Sequence, residues 1–163
     1  MGEVRQARHK NKAPQGVGEA AAIDMGVLPN LMGFMMRQAQ TMIYQDFHQS
    51  MSDPNIRPPQ FSILEVVHRN PGIRPSDVSA ALGISRANLV PLLAELETLA
   101  WVQRKGDKTD GRAQVLHLTK SGAAQLEKLH KIVLPHEDRL AERLGPVGRD
   151  ILLKLLRTLV AES

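Results

Sequence analysis

The chain has no cysteine, which removes disulfides, thiolate nucleophiles, zinc fingers and iron–sulfur clusters, and nothing points to an oxidising compartment. Aromatic residues make up only 3% of it, Trp101 and Tyr44 each being alone of their kind. With β-branched residues also thinly spread, a β-sandwich or barrel is disfavoured, and a mainly α-helical protein built on Leu, Ala and Met is expected. No stretch approaches the roughly 18 uninterrupted apolar residues of a membrane span, so no membrane partner is expected. The basic start, Met1 to Lys12, leads into no apolar h-region, so a cytoplasmic protein without a secretory signal is expected. Signatures of catalysis are missing as well. The six histidines show no H-E-x-x-H spacing, and His130 and His136 are not four apart on one helix face. Neither a G-x-S-x-G elbow nor a G-x-x-x-x-G-K-[ST] loop occurs, and Gly16-Val17-Gly18 follows no strand. An enzyme, a metal site and a cofactor are therefore not expected.

What is present is a chain of 163 residues, 42% hydrophobic and 23% charged, values of one globular domain with a sizeable core. Its formal net charge is +4, and the excess is unevenly placed. Residues 1–12 carry about +3 and residues 13–56 about −3, with Arg37 their only Lys or Arg. Residues 57–120 again carry about +3, and residues 121–163 about +1. The tail, residues 1–20, has no apolar period and is expected to be flexible.

From residue 27 to residue 50, Leu28, Leu31, Met32, Met35, Ala39, Met42, Ile43 and Phe47 recur at three- and four-residue steps, one face of a long helix. The segment before Pro58 and Pro59 breaks it, and a second helix runs from there through Phe61, Leu64, Val67 and His68 to Asn70-Pro71-Gly72. A third opens at Pro75, faces inward with Val78, Ala81 and Leu82, and stops at Gly83, a left-handed cap. Ser85 then caps a fourth, with Leu89, Leu92, Leu93, Leu96 and Leu99 inward. Two helices joined by about three residues form a helix-turn-helix. Residues 101–104 and 114–118 read as strands around a turn at Asp110-Gly111. Thr119 caps a long helix that Pro135 is expected to kink or end, and Gly145-Pro146 separates a last leucine-rich one.

The start of the fourth helix suits DNA. It aims unpaired N–H groups, a positive dipole end and short side chains outward. Arg86 can fork onto guanine, Asn88 can pair with adenine, Ala87 can touch a thymine methyl, and Ser85 can bond phosphate. The hairpin adds Arg104, Lys105, Lys108 and Arg112, and an arginine at such a tip can enter a minor groove. Asp110, two residues before Arg112, can hold that guanidinium in a forked pair. Asp107 looks out of place in such a loop.

These residues carry a resemblance. Residues 59–120 are similar to the winged helix-turn-helix core of the MarR family of bacterial regulators, through Phe61-Ser62-Ile63-Leu64, Leu82-Gly83-Ile84-Ser85-Arg86, Leu96-Glu97 and Trp101-Val102-Gln103-Arg104. The wing, Asp107-Lys108-Thr109-Asp110-Gly111-Arg112, fits the family's D-x-x-D-x-R pattern and precedes Leu118-Thr119-Lys120-Ser121-Gly122. The resemblance implies a homodimer with interleaved outer helices and Asp110 positioning Arg112. It further implies an operator bound as double-stranded DNA and a small-molecule effector between the dimer helices and the DNA lobe. Two residues depart from the pattern. Ala100 stands where the family usually has glycine, so a different turn out of the helix is expected, and Pro91 should bend the recognition helix.

The expected organisation is thus a basic tail (1–20), an N-terminal dimerisation helix (21–56), a winged helix-turn-helix lobe (57–120) and C-terminal dimerisation helices (121–163). The expected DNA contacts are Ser85, Arg86, Ala87, Asn88, Lys105, Lys108, Asp110 and Arg112. Met32, Met36 and Tyr44 can wall an adaptable apolar pocket, with Arg37 anchoring a carboxylate or phosphate on an aromatic acid or its CoA thioester. A small-molecule sensor or protein-interaction module that keeps the winged shape without reading DNA is the alternative.

Overall fold

The computed structural model describes residues 23–50, 56–107 and 113–161; the basic tail lies outside them. These residues form five α-helices and one two-stranded hairpin. The first helix is shorter than its apolar period suggests. Pro29 fits only a first turn, so Leu28–Asn30 make a single 3-10 turn and Leu31 swings to an extended backbone. The α-helix proper, α1, is Met32–Ser50, and Phe47 is its buried residue.

Helix α2 (Pro58–Arg69) starts at two prolines, whose missing N–H groups cost nothing in a first turn. Gln60 reaches back to the backbone N–H of Arg57 at 2.8 Å, closing the N-terminus. It buries Ile63, Leu64 and Val67, while His68 faces solvent. Helix α3 (Pro75–Leu82) ends at Gly83, φ 61°, a conformation open to glycine and costly for other residues. Val78 is its buried residue, and Ala81, expected inward, is exposed because so short a helix covers the core with one side only.

Helix α4 (Arg86–Thr98) opens with Ser85 Oγ accepting the Asn88 N–H at 3.3 Å. Leu89, Leu93 and Leu96 are buried and Leu92 partly so. Leu99, expected inward, is exposed, since the chain has already begun to turn away at the C-cap. Pro91 lies on the exposed side of one continuous helix.

Strands β1 (Val102–Gly106) and β2 (Gln114–Leu118) pair antiparallel in the register Val102 with Leu118 and Gly106 with Gln114. Ile73 adds a single bridge to Leu116, tying the hairpin's base to the turn before α3.

Helix α5 (Lys120–Ala161) starts at Thr119, whose Oγ1 accepts the Gly122 N–H at 2.9 Å. It continues through Pro135; the break falls at Gly145, φ 75°, ψ 172°. The helix does not end at Pro135, one of the two outcomes expected there, and the break is the one expected at Gly145-Pro146. Leu126 and Leu129 join Ile56, Ile63, Leu64, Val67, Val78, Leu89, Leu93, Leu96, Val102 and Leu116 in one core. Each such aliphatic side chain is worth about 1.5–3 kcal/mol of burial. The opening turns of α5 therefore belong physically to the lobe.

Past the kink the chain is bare. Val147 and Leu155 are 63% and 62% exposed, and Met32 on α1 is 77% exposed. No helix among the described residues is long and apolar enough to cross a membrane.

Candidate nucleic-acid interface

The turn Gly83-Ile84-Ser85 brings the N-terminus of α4 to the surface, and Ser85, Arg86, Ala87 and Asn88 are all exposed there. Ser85 Oγ accepts the cap hydrogen bond, which leaves its hydroxyl proton to donate outward. Arg86 has no hydrogen-bond or ion-pair partner among the described residues, and its guanidinium is available to an incoming anion. A groove of about 320 Å³ separates the start of α3, α4 and the outer half of the hairpin, with Arg74, Arg86 and Arg104 around it and Leu89, Val90 and Leu93 along it.

The hairpin is braced on both sides. Arg104 Nε donates to Glu97 Oε1 on α4 at 2.6 Å, so this base, counted with the wing's charge in the sequence, is already spoken for. Asp107 accepts from Arg74 Nη2 at 3.0 Å, which explains an aspartate in a basic loop: it ties the hairpin to the start of α3. Lys105 is exposed on β1. Lys108, Asp110 and Arg112 lie outside the described residues.

The exit from α4 corrects the expectation for Ala100. Its backbone is left-handed, φ 55°, the conformation glycine would take. The Trp101 N–H bonds to the Leu96 carbonyl and the Ala100 N–H to the Glu97 carbonyl, both at 2.9 Å, a left-handed C-terminal cap. The turn is thus kept and alanine is strained into it. The carbonyl of Ala100 is held by Ser121 Oγ at 2.6 Å and by Thr119 Oγ1, so the start of α5 enforces the strained geometry.

The expected effector residues are spread along α1. Met32 and Met36 lie one turn apart on one exposed face, and Tyr44, also exposed, lies about 120° round the helix from Met32. Arg37, seven residues before Tyr44 and so on its side of the helix, has its guanidinium over the Phe34 ring, 5.2 Å from the centroid. The single chain leaves this face open.

Sequence reasoning missed the polar ties between α1, α2 and α5, whose partners are 65 and 90 residues apart. His136 is 2% exposed. Its Nδ1 meets Asp46 Oδ2 at 2.5 Å, and its ring stands edge-on to Phe47 at 5.7 Å. Arg139 donates to the same carboxylate oxygen at 2.9 Å. Hydrogen bonds from His136 and then Arg139 hold the Asp46 carboxyl below its ordinary value of 3.8. Further along, His130 Nε2 meets Glu65 Oε2 at 2.8 Å, with Phe61 edge-on to the imidazole. Burial pushes Glu65 up, but hydrogen bonds from Arg69 and His130 outweigh it and the net shift is downward. Nothing local in the sequence named the partners of His130 and His136, which lie 65 and 90 residues away.

A helix-turn-helix whose second helix presents its N-terminus beside a braced hairpin is the winged helix-turn-helix arrangement used to bind DNA. The sequence model of the MarR family matches residues 55–113. A putative transcriptional regulatory protein for the hcr operon of Thauera aromatica is 24% identical over 94% of this chain and 93% of its own length. Two solved structures of the transcriptional repressor CouR superpose with a TM-score of 0.80. One, bound to a 23-mer DNA duplex, is 36% identical over 85% of this chain and 99% of its own. The other, bound to p-coumaroyl-CoA, is 35% identical over 87% and 100%. The chain belongs to the MarR family.

Proposed function

We propose that this regulator is a repressor that binds an approximately palindromic operator as a homodimer and is released by a small effector, an aromatic acid or the CoA thioester of one. The observation that carries the reading is the exposed N-terminus of α4, where Arg86, without a partner among the described residues, and the exposed Asn88 stand beside a groove rimmed by arginines. Ser85, Arg86, Ala87 and Asn88 read bases and phosphate in the major groove, and Lys105, Lys108 and Arg112, the last aimed by Asp110, serve the wing. CouR, bound in one structure to DNA and in the other to p-coumaroyl-CoA, supports both halves of the reading. Homodimerisation follows from the uncovered apolar faces of α1 and distal α5, which are too extensive for a stable monomer in water. Met32, Met36, Arg37 and Tyr44 then line an effector site that closes only when a second surface covers α1. The compartment is the cytoplasm.

A mobility-shift titration on the protein's own upstream DNA tests this. Binding should exceed that to random duplex by roughly 10³-fold or more and fall steeply with salt. Arg112→Ala should weaken operator binding while leaving the fold intact, and p-coumaroyl-CoA or a free aromatic acid should release the DNA. Equal affinity for operator and random DNA at every salt concentration would leave an interaction module without sequence-specific binding as the better account.

A further inference from the structure

Glu95 and Glu97 leave the recognition helix on opposite sides, because two residues at 100° each set their side chains about 200° apart. Each is taken by an arginine from a different neighbour. On one side, Glu97 Oε1 accepts from Arg104 Nε of the hairpin at 2.6 Å. On the other, Arg57 Nη2 sits astride the two oxygens of Glu95 at 3.1 Å and 3.0 Å. Gln60 Nε2 donates to the same carboxylate at 2.7 Å. Gln60 is 2% exposed, and its Oε1 accepts the Arg57 backbone N–H at 2.8 Å, so the amide is fixed at both ends. The arginine–carboxylate pairs themselves are wet, with side chains 51% and 45% exposed at Arg57–Glu95. Pairs that wet add little to stability; what they supply is direction.

The apolar anchors Leu89, Leu93 and Leu96 hold α4 to the core along one stripe. A single stripe resists translation better than rotation about the helix axis. A helix turns as a rod, so a roll permitted at Glu95 is the same roll at Arg86 and Asn88, where it decides which base edge each side chain meets.

We propose that Glu95 and Glu97 are positioning residues that fix the roll of the recognition helix between two opposed stays, Arg57 with Gln60 on one side and Arg104 on the other, and thereby set base specificity. The proposal rests on the DNA-reading function above. Arg57 follows Ile56, which is buried in the lobe core, so the dimer-side stay is anchored where the chain enters the lobe.

The test is a comparison of Glu95→Gln, Glu97→Gln, Arg57→Gln and the double variant Arg57→Gln/Glu95→Gln in the full-length protein. Affinity is measured for the operator and for a random duplex of equal length over a range of salt, with thermal melting alongside. Each single variant should lose roughly tenfold in operator-to-random preference, with an unchanged salt slope, since no phosphate contact is removed. In Glu95→Gln and Glu97→Gln random-duplex affinity should not fall, because a carboxylate has been neutralised. The double variant should lose no more than either of its members, as one interaction is broken once. Preference unchanged in folded variants, equal loss on both duplexes, or additive losses in the double variant would overturn the proposal. A wild-type protein with no operator preference would overturn the function itself, an outcome distinct from all three. If Glu95→Gln fails to fold, Glu97→Gln decides on the opposite stay.

Discussion

Gly122 is where the lobe tolerates least. A Cβ there would lie 1.9 Å from the Trp101 carbonyl oxygen, and that backbone is pinned because the Thr119 N–H donates to the same oxygen at 3.0 Å. Gly122→Ala should therefore cost roughly 3 kcal/mol or more, overpacking against backbone rather than a side chain that can step aside. Denaturant unfolding monitored by Trp101 fluorescence measures it. Ala100 predicts the opposite sign. A left-handed alanine costs about 1–2 kcal/mol, and glycine gives back part of that in unfolded-chain entropy. Ala100→Gly should stabilise by about 0.5–1 kcal/mol in the same assay with operator affinity unchanged. The residue identities at both positions were legible in the sequence. What was not legible is that Ala100 keeps the glycine-type turn, because the force that holds it there comes from Thr119 and Ser121, about twenty residues on in the chain.

At the scale of elements, α5 is a spine to which α1 and α2 are fastened by buried or half-buried histidine–carboxylate pairs. His130 takes Glu65 of α2 and His136 takes Asp46 of α1. Because the Asp46 pKa is lowered in the folded state, its contribution to stability is complete above its ordinary value and is lost as pH falls through that value toward the lowered one. Wild type and Asp46→Asn should differ at pH 7, wild type being the more stable, and converge once the pH has fallen past the lowered pKa of Asp46. Urea unfolding at stepped pH checks this; a gap that persists at the acid end would locate the effect in packing instead of charge. The amide still offers an oxygen to His136, so the variant should fold. Element positions were mostly readable from periodicity and caps, since Gly83, Ser85 and Thr119 act within a turn of where they stand. The start of α1 was not, because the apolar period runs on through Leu28 and Leu31 while Leu31 leaves the helix.

For the whole molecule, the decisive feature is the apolar surface left bare on α1 and distal α5. Sedimentation equilibrium should give about twice the 18.0 kDa chain mass. Leu155→Asp, harmless on a solvated helix, should release monomers and abolish operator binding, because one recognition helix alone cannot span two half-sites about 34–36 Å apart. A monomer that still bound the operator tightly would remove the dimer from the mechanism. The sequence by itself determined the helical class, the winged helix-turn-helix order, the capped recognition helix and the net positive charge of the block 57–120 that contains it. All of these rest on local spacing, turn chemistry and composition, which act over a few residues. Only the tertiary structure decided which charges remain available for DNA. Folding commits Arg104 to Glu97, Arg74 to Asp107 and Arg57 to Glu95, and leaves Arg86 exposed at the helix end. Pairings between residues 7, 33 and 38 positions apart depend on how elements pack, and a linear pattern of charges carries no record of that.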